Sequence, residues 1–439
     1  AYEIMPSLGG SEMCIRDSYG ALGNSNVNPY SYLEKFSLST FSTTGTSTDG
    51  RYLDGSAKLR YTKNPSQIPD NIGWETSKTV DVGIDLGFLH NKITLSADYY
   101  VRKTIDMYTV GPTLPDTFGA SSPKGNYADM STYGYEISLG YNDSFKLADR
   151  PLSFGVKVTL ADYYSVIDKY NNPTRDLDDY YVGQRIGEIW GYVCNGLFQS
   201  QDAIDTAFNG KGYKNDIMQT SVNYITHPGD MRFEDLNGTN SIDKGANTVD
   251  SPGDRQIIGN EEPRYIYTFS FSADWNNFFL SAMFDGVGKQ DWYPSGESSF
   301  WGQYNRPYNQ VPTWHLNNYW TEDNPNAYLP RYSGYYNPLY KGTANTRYLQ
   351  DVSYIRLKNF QFGYNLPKKW IAKAGLSHVS VYFSGENLWS WSPLYRYTKD
   401  YDVTVVTKGS DSDITSGNKG DGFNYPTMRN FSFGISITY

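Results

Sequence analysis

The stretch Val80-Asp81-Val82-Gly83-Ile84-Asp85-Leu86-Gly87-Phe88 decides the fold class, because its apolar residues recur at every second position. Val80, Val82, Ile84, Leu86 and Phe88 share one face, while Asp81, Gly83, Asp85 and Gly87 share the other. A period of two marks a strand, since successive side chains leave a pleated backbone on opposite sides. After a turn at His90-Asn91, Ile93, Leu95, Ala97, Tyr99 and Val101 repeat the pattern, so the two runs predict a hairpin.

The same signature returns along the chain. It appears at Tyr135, Ile137, Leu139 and Tyr141, then at Leu152, Phe154, Val156, Val158 and Leu160. Tyr265 to Trp275 makes a longer run, answered by Phe278 to Phe284; Val379, Val381 and Phe383 lead into another. The chain closes with Phe431, Phe433, Ile435, Ile437 and Tyr439 on one face. Weaker runs at Lys35 to Phe41 and Arg51 to Tyr61 bring the total to about eleven candidate strands, each of bilayer-spanning length for a barrel. In Val352 to Tyr364 the apolar set slips by one residue around Lys358-Asn359, which predicts a β-bulge.

Composition narrows the class. The 439 residues carry 38 Lys and Arg against 47 Asp and Glu, a formal net charge of −9 that excludes a basic nucleic-acid footprint. Charged residues make up only 19%, while 41 Tyr, 41 Gly and 16% aromatics give a β-rich balance. Mean hydropathy is −0.59, and no apolar run approaches the length of a helical membrane span. A β-barrel span is not excluded, because only one face of each strand need be apolar. Cys14 and Cys194 are too few for a disulfide framework.

The polar face separates a soluble sandwich from a membrane barrel. A soluble sheet turns Lys, Glu and Arg to water, whereas this face is mostly Ser, Thr, Gly and Asp, which suit a hydrated lumen behind a lipid-facing wall. Tyr99-Tyr100 and Trp389-Ser390-Trp391 fit an aromatic girdle at headgroup level. A sandwich core with chance edge aromatics is the competing reading. Connections fall into two classes: tight turns such as Trp275-Asn276-Asn277-Phe278, and long segments such as those from Val166 to Tyr265 and from Gly286 to Asp351. Short turns at one end and long loops at the other are a habit of outer-membrane barrels.

Several blocks resemble the SusC/RagA family of TonB-linked outer-membrane transporters. They include Asn71 to Thr76 leading into Val82 to Phe88, Ala97 to Tyr100, Gly134 to Leu139, and Ile189-Trp190-Gly191-Tyr192 through Gly196 to Gln199. Further on come Pro228 to Asp230 through Asp235 to Gly238, Ile355 to Phe360 through Gly363 to Pro367, Ser384 to Leu388, and Tyr425 to Tyr439. The resemblance implies an all-β, antiparallel transmembrane β-barrel of 22 strands with an N-terminal plug, of which residues 19–439 would form about half. The plug and the segment that engages the TonB complex have no counterpart in this sequence.

The resemblance also implies an importer in the cell outer membrane, taking up a glycan or peptide with a SusD-like lipoprotein over its mouth. It implies no enzymatic activity and no cofactor. Phe431, Phe433, Ile435, Ile437 and Tyr439 would then be the terminal strand signal for barrel insertion. A non-transporting outer-membrane barrel, such as a surface enzyme or adhesin, and a secreted carbohydrate-binding sandwich are the rival readings. Ala1 to Ser18 lacks alternation and the regions of a secretory signal, and is read as a non-native leader outside the fold.

Candidate sites are few. Trp292, Trp301, Trp314 and Trp320 stand among Asn, Pro and Gly in one long loop, where aromatic faces could stack on sugar rings or peptide side chains; this makes them the substrate or lid contact candidates. Packing of the loop on itself is the alternative for each ring. Asp235 to Asp243 places oxygen ligands at alternate positions like a calcium loop, but Asn240 stands where the turn glycine is expected and no Glu closes the loop. A solvated loop held by Asx turns is favoured, so no metal site is assigned. The histidines His90, His227, His315 and His378 are scattered, and no catalytic motif accompanies them.

Overall fold

Ten strands of the computed structural model lie antiparallel in one sheet, in chain order throughout. They are β1 (Glu12–Asn24), β2 (Glu75–Phe88), β3 (Ile93–Val110), β4 (Lys124–Leu147) and β5 (Arg150–Lys169). The row continues with β6 (Arg264–Trp275), β7 (Phe278–Lys289), β8 (Tyr354–Asn365), β9 (His378–Trp391) and β10 (Asn430–Thr438). The structure describes residues 12–24, 33, 37–40, 60–63, 68, 72–111, 114, 117, 122–218, 225–294, 311–332, 343–404, 406 and 426–439. Among these, β1 pairs only with β2 and β10 only with β9, so the sheet is open at both ends, as in a partial barrel.

The turns follow from their residues. Asn276 and Asn277 hold positive φ (46° and 73°) between the facing pair Trp275 and Phe278, the two-residue hairpin that Asn tolerates best after Gly. Ala148 and Asp149 make a second two-residue turn between Leu147 and Arg150. The connection from β8 to β9 is longer and holds a short helix, Lys368–Ile371.

Apolar rows run unbroken across the wall. Leu139 faces Val158, Val158 faces Phe269, Phe269 faces Phe284 and Phe284 faces Leu357. These rows are open to the surroundings: Val82 is 52% exposed and Leu139 46%. No second sheet covers them among the described residues, which is what a lipid-facing surface requires and what a sandwich core forbids.

The opposite face is polar and internally bonded. Asp162 takes a two-pronged contact from Arg264 at 2.5 and 2.6 Å, and Asp285 one from Arg356 at 3.1 and 2.9 Å. Thr159 and Thr268 share a hydroxyl bond of 2.5 Å across β5 and β6. Aromatic rings lie flat over facing glycines here: a Cβ on Gly134 would sit 2.4 Å from the Tyr100 ring, and one on Gly434 2.4 Å from the Tyr382 ring.

The bulge expected around Lys358-Asn359 is present. Met283 faces Asn359 while the next residue, Phe284, faces Leu357, so Lys358 is the extra residue and the apolar facing is restored.

Three expectations change. Of the weak runs at 35–41 and 51–61, the described residues do not join the wall: Ser37–Thr40 pairs with Arg60–Lys63 in a separate two-stranded piece, and residues 35, 36, 41 and 51–59 lie outside the described residues. Tyr99 and Tyr100 do not end a strand, since β3 continues to Val110, and Tyr100 points inward over Gly134. Trp389 and Trp391, by contrast, do stand at the end of β9, 49% and 55% exposed.

Residues 12–18, set outside the fold in the sequence reading, form the first half of β1 and face Gly87 to Asp81 of β2. Arg16 bridges Asp85 at 2.7 Å and Asp98 at 2.8 Å. Periodicity passed over this segment because its apolar row is short and broken: Met13 faces Leu86 and Ile15 faces Ile84, but Asp17 stands opposite Val82. Residues 1–11 lie outside the described set.

Candidate functional site: the loop cap

Three long connections, 170–263, 290–353 and 392–429, leave the sheet at the end opposite the short turns, because antiparallel order sends alternate connections to alternate ends. Their described residues fold together into a cap. Met231, Phe233, Ile242, Leu329, Tyr348 and Leu394, drawn from all three connections, are each no more than 2% exposed and pack in one cluster. Burying such side chains stabilises by about 1.5–3 kcal/mol each, so the cap is a packed body.

Short pairings set its frame. Met231–Phe233 pairs with Cys194–Leu197, Arg255–Asn260 with Glu188–Tyr192, and Asp291–Trp292 with Gln350–Asp351. Buried polar groups then staple the loops. Asp254, fully buried, accepts the backbone N–H groups of Leu236 (2.7 Å), Asn237 (3.3 Å) and Asp243 (2.8 Å). Burial pushes its carboxyl above the usual range despite those bonds. Asp230 accepts from Arg331 at 2.7 Å, and the Tyr328 hydroxyl donates to the Arg347 carbonyl at 2.8 Å. Burial raises the Tyr328 hydroxyl well above its ordinary value.

The structure does not gather the three described tryptophans, Trp292, Trp314 and Trp320, at one open face. Trp292 is 5% exposed, with the Tyr401 ring 5.7 Å away. Trp314 packs among His315, Tyr328 and Tyr397. Trp320 donates from Nε1 to Gln199 Oε1 at 3.2 Å, and its ring closes on Gly229, whose φ of 89° and lack of Cβ allow the approach. Trp301 lies outside the described residues. All three described rings are engaged within the cap.

The Asp235 to Asp243 loop is held by its own backbone. Asp235 accepts from the N–H groups of Gly238, Thr239 and Asn240 at 2.7, 3.2 and 2.8 Å, and Asn240 takes a positive φ of 64°. The Asp243 carboxylate accepts from Gly245 N–H and the Thr239 hydroxyl. Among the described residues no three His, Cys, Asp or Glu side chains are grouped to hold a metal ion.

The sequence reading missed a pocket of about 620 Å³ beside this loop, with Trp190, Asp216, Ile217, Asp243, Lys244 and Arg255 in its lining. Its residues come from segments far apart in the chain, which periodicity cannot join. The only signals were Trp190 and Tyr192 within a family-like block. Phe431, Phe433, Ile435 and Ile437 sit on β10 and are 57–85% exposed; Tyr439 follows the strand and is 98% exposed.

A single-layer antiparallel wall, apolar outside and polar inside, with long loops folded over one end, defines an outer-membrane β-barrel protein. The sequence model described as "TonB dependent receptor-like, beta-barrel" matches residues 19–250, more than half of the chain, which belongs to that family and to the outer membrane. The chain is similar to TonB-dependent receptor P3 of Formosa agariphila, at 28% identity over 97% of this chain and 39% of that protein. It is similar to TonB-dependent receptor SusC of Bacteroides thetaiotaomicron, at 23% identity over 86% of this chain and 33% of SusC. Among solved structures, the RagAB peptide transporter shares the fold with a TM-score of 0.65 and 19% identity, over 98% of this chain and 41% of that one. The chain thus spans about two fifths or less of the relatives it matches.

Proposed function

We propose that the chain forms the C-terminal wall and outer cap of a TonB-dependent importer that takes up oligosaccharide or peptide with a SusD-like lipoprotein. The observation that carries this reading is the cap: three long loops of a family barrel wall fold into a preformed body over one mouth, where cargo and lid would meet. The wall residues supply the lipid contact, and an N-terminal part would supply plug and TonB engagement. SusC among the relatives and RagAB among the neighbours support a lipoprotein partner and a glycan or peptide cargo. Phe431, Phe433, Ile435, Ile437 and Tyr439 serve as the insertion signal, and Trp301 is kept as a contact for cargo or lid.

Growth tests this reading. Deleting the gene should abolish growth on one class of oligosaccharide or peptide as sole nutrient, and deleting TonB should do the same. Unaltered growth on every such nutrient would remove the importer reading. Tyr439→Ser should lower the amount of receptor in the outer membrane; unchanged insertion would remove the terminal signal.

A further inference from the structure

We propose that the pocket around Trp190 is a binding subsite for a neutral oligosaccharide, which rests on the importer reading and chooses among its cargoes. Three observations support it. The first is that the walls are fixed before any ligand arrives. Tyr192 N–H donates to the Ala344 carbonyl at 2.8 Å and its own carbonyl accepts from Thr346 N–H at 3.0 Å. On the other side Asp216 N–H donates to the Ile242 carbonyl at 2.9 Å, and Asp243 N–H to the Asp254 carboxylate at 2.8 Å. A pocket of about 620 Å³ falls within the range of roughly 300–1,000 Å³ typical of ligand sites, and its rigidity lowers the ordering cost of binding.

The second observation is that the lining is two-sided. Trp190 and Ile217 give it apolar surface. The Trp190 ring is held by its Nε1 donating to the Tyr181 hydroxyl at 3.2 Å, so its orientation is set. The remaining lining offers planar and charged hydrogen-bonding groups. Asp216 accepts from the Ser241 hydroxyl through Oδ2 at 2.5 Å, and among the described residues its Oδ1 takes no further bond. Arg255 spends Nε on the Pro252 carbonyl (3.1 Å) and Nη2 on the Lys244 carbonyl (2.9 Å), which among the described residues leaves Nη1 for a ligand. A pyranose ring has an apolar C–H face and a rim of hydroxyls that both donate and accept, so it meets both sides at once.

The third is charge. Asp216 and Asp243 offset Lys244 and Arg255, so the pocket has no net charge with which to draw a polyanion or a charged peptide. Hydroxyls gain from both signs.

Calorimetric titration of the intact receptor in detergent with maltohexaose, xylohexaose and laminarihexaose, and with an uncharged octapeptide, tests the proposal. At least one hexaose should bind. Trp190→Ala should weaken it by about tenfold, the worth of a lost ring contact. Trp190→Phe should restore most of the affinity, and Asp216→Ala should weaken it by about fivefold, the worth of a hydrogen bond. If Trp190→Ala melts early, Asp216→Ala carries the test, since Asp216 is exposed and its one side-chain partner among the described residues is Ser241. Unaltered hexaose affinity in these variants, binding of the octapeptide alone, or binding of no hexaose would each overturn the subsite.

Uptake separates this from the importer reading. Glycan import with unchanged apparent affinity in both variants would remove the subsite and leave the importer standing. Hexaose binding through Trp190 without TonB-dependent import would do the reverse.

Discussion

Phe269 on β6 is 38% exposed and Phe233 in the cap is 2% exposed, though both sit on strands of the same chain. Phe269 belongs to a row that faces outward with neighbours only to its sides, so its third partner must be the acyl chains of the bilayer. Phe233 is closed in by loop residues on every side, with the Tyr192 ring 5.7 Å away. One chain therefore carries two solutions to the burial of apolar surface. The wall borrows its core from lipid, and the cap makes its own from loops that water would otherwise unravel.

The sharpest way to separate the two regions is to empty the cap. Phe233→Ala should cost the cap about 3–5 kcal/mol, as for other buried aromatics. Protease should then cut within 170–263 at concentrations that leave the native chain intact, while the heat-dependent gel shift of the barrel persists. Loss of both together would mean that wall and cap unfold as one unit.

The converse change strikes the wall. Phe269→Arg should cost about 2–4 kcal/mol if that row lies near the bilayer midplane. Urea titration in phospholipid vesicles would register it, and cap proteolysis should not change. A cost near zero would place Phe269 outside the hydrocarbon.

A smaller effect is expected at Asp254. Asp254→Asn puts an amide against one of three inward-pointing N–H groups, which should cost about 1–3 kcal/mol of cap stability. Hydrogen exchange of Leu236, Asn237 and Asp243 would report it locally.

The smallest contrast is in pH. Burial raises the Asp291 carboxyl above its ordinary value of 3.8 although Asn260 N–H donates to it at 2.9 Å. A raised folded value favours the protonated form, so the contribution of Asp291 is full below 3.8 and is lost as pH rises through the folded value. Asp402 runs the other way. Burial works to raise it, but bonds from Thr427 and Thr404 outweigh that and hold it low. Its contribution is present above 3.8 and is lost as pH falls through the lowered folded value. Acid titration of cap melting should therefore change in opposite senses in Asp291→Asn and Asp402→Asn.

The same division explains what the sequence made legible. The wall could be read because a two-sided environment writes a period of two: Val80 to Phe88 and Phe431 to Ile437 name their own faces, and the slip at Lys358 named its own bulge. The cap could not be read that way. Leu329 and Val352 are buried in irregular segments, Met231 on a three-residue strand and Leu394 in a single 3₁₀ turn, all too short for a spacing to distinguish a core residue from an exposed one. For the same reason the tryptophans of the long loop looked available in sequence, and Trp292 turned out to be filling the cap's interior. β1 was missed because Asp17 interrupts its apolar row opposite Val82.

The rings of Tyr100 and Tyr382, lying over Gly134 and Gly434, act as keys for strand alignment. Rows of alternating residues are nearly self-similar under a slide of two positions, so greasy contacts alone would accept several pairings. A slide of two would bring Tyr100 opposite Thr132 or Glu136, either of which has a Cβ where the ring must lie. The smallest residue in the wall thus sets which neighbour a tyrosine ring will accept, and a barrel assembling in lipid is given a single correct alignment on which to close.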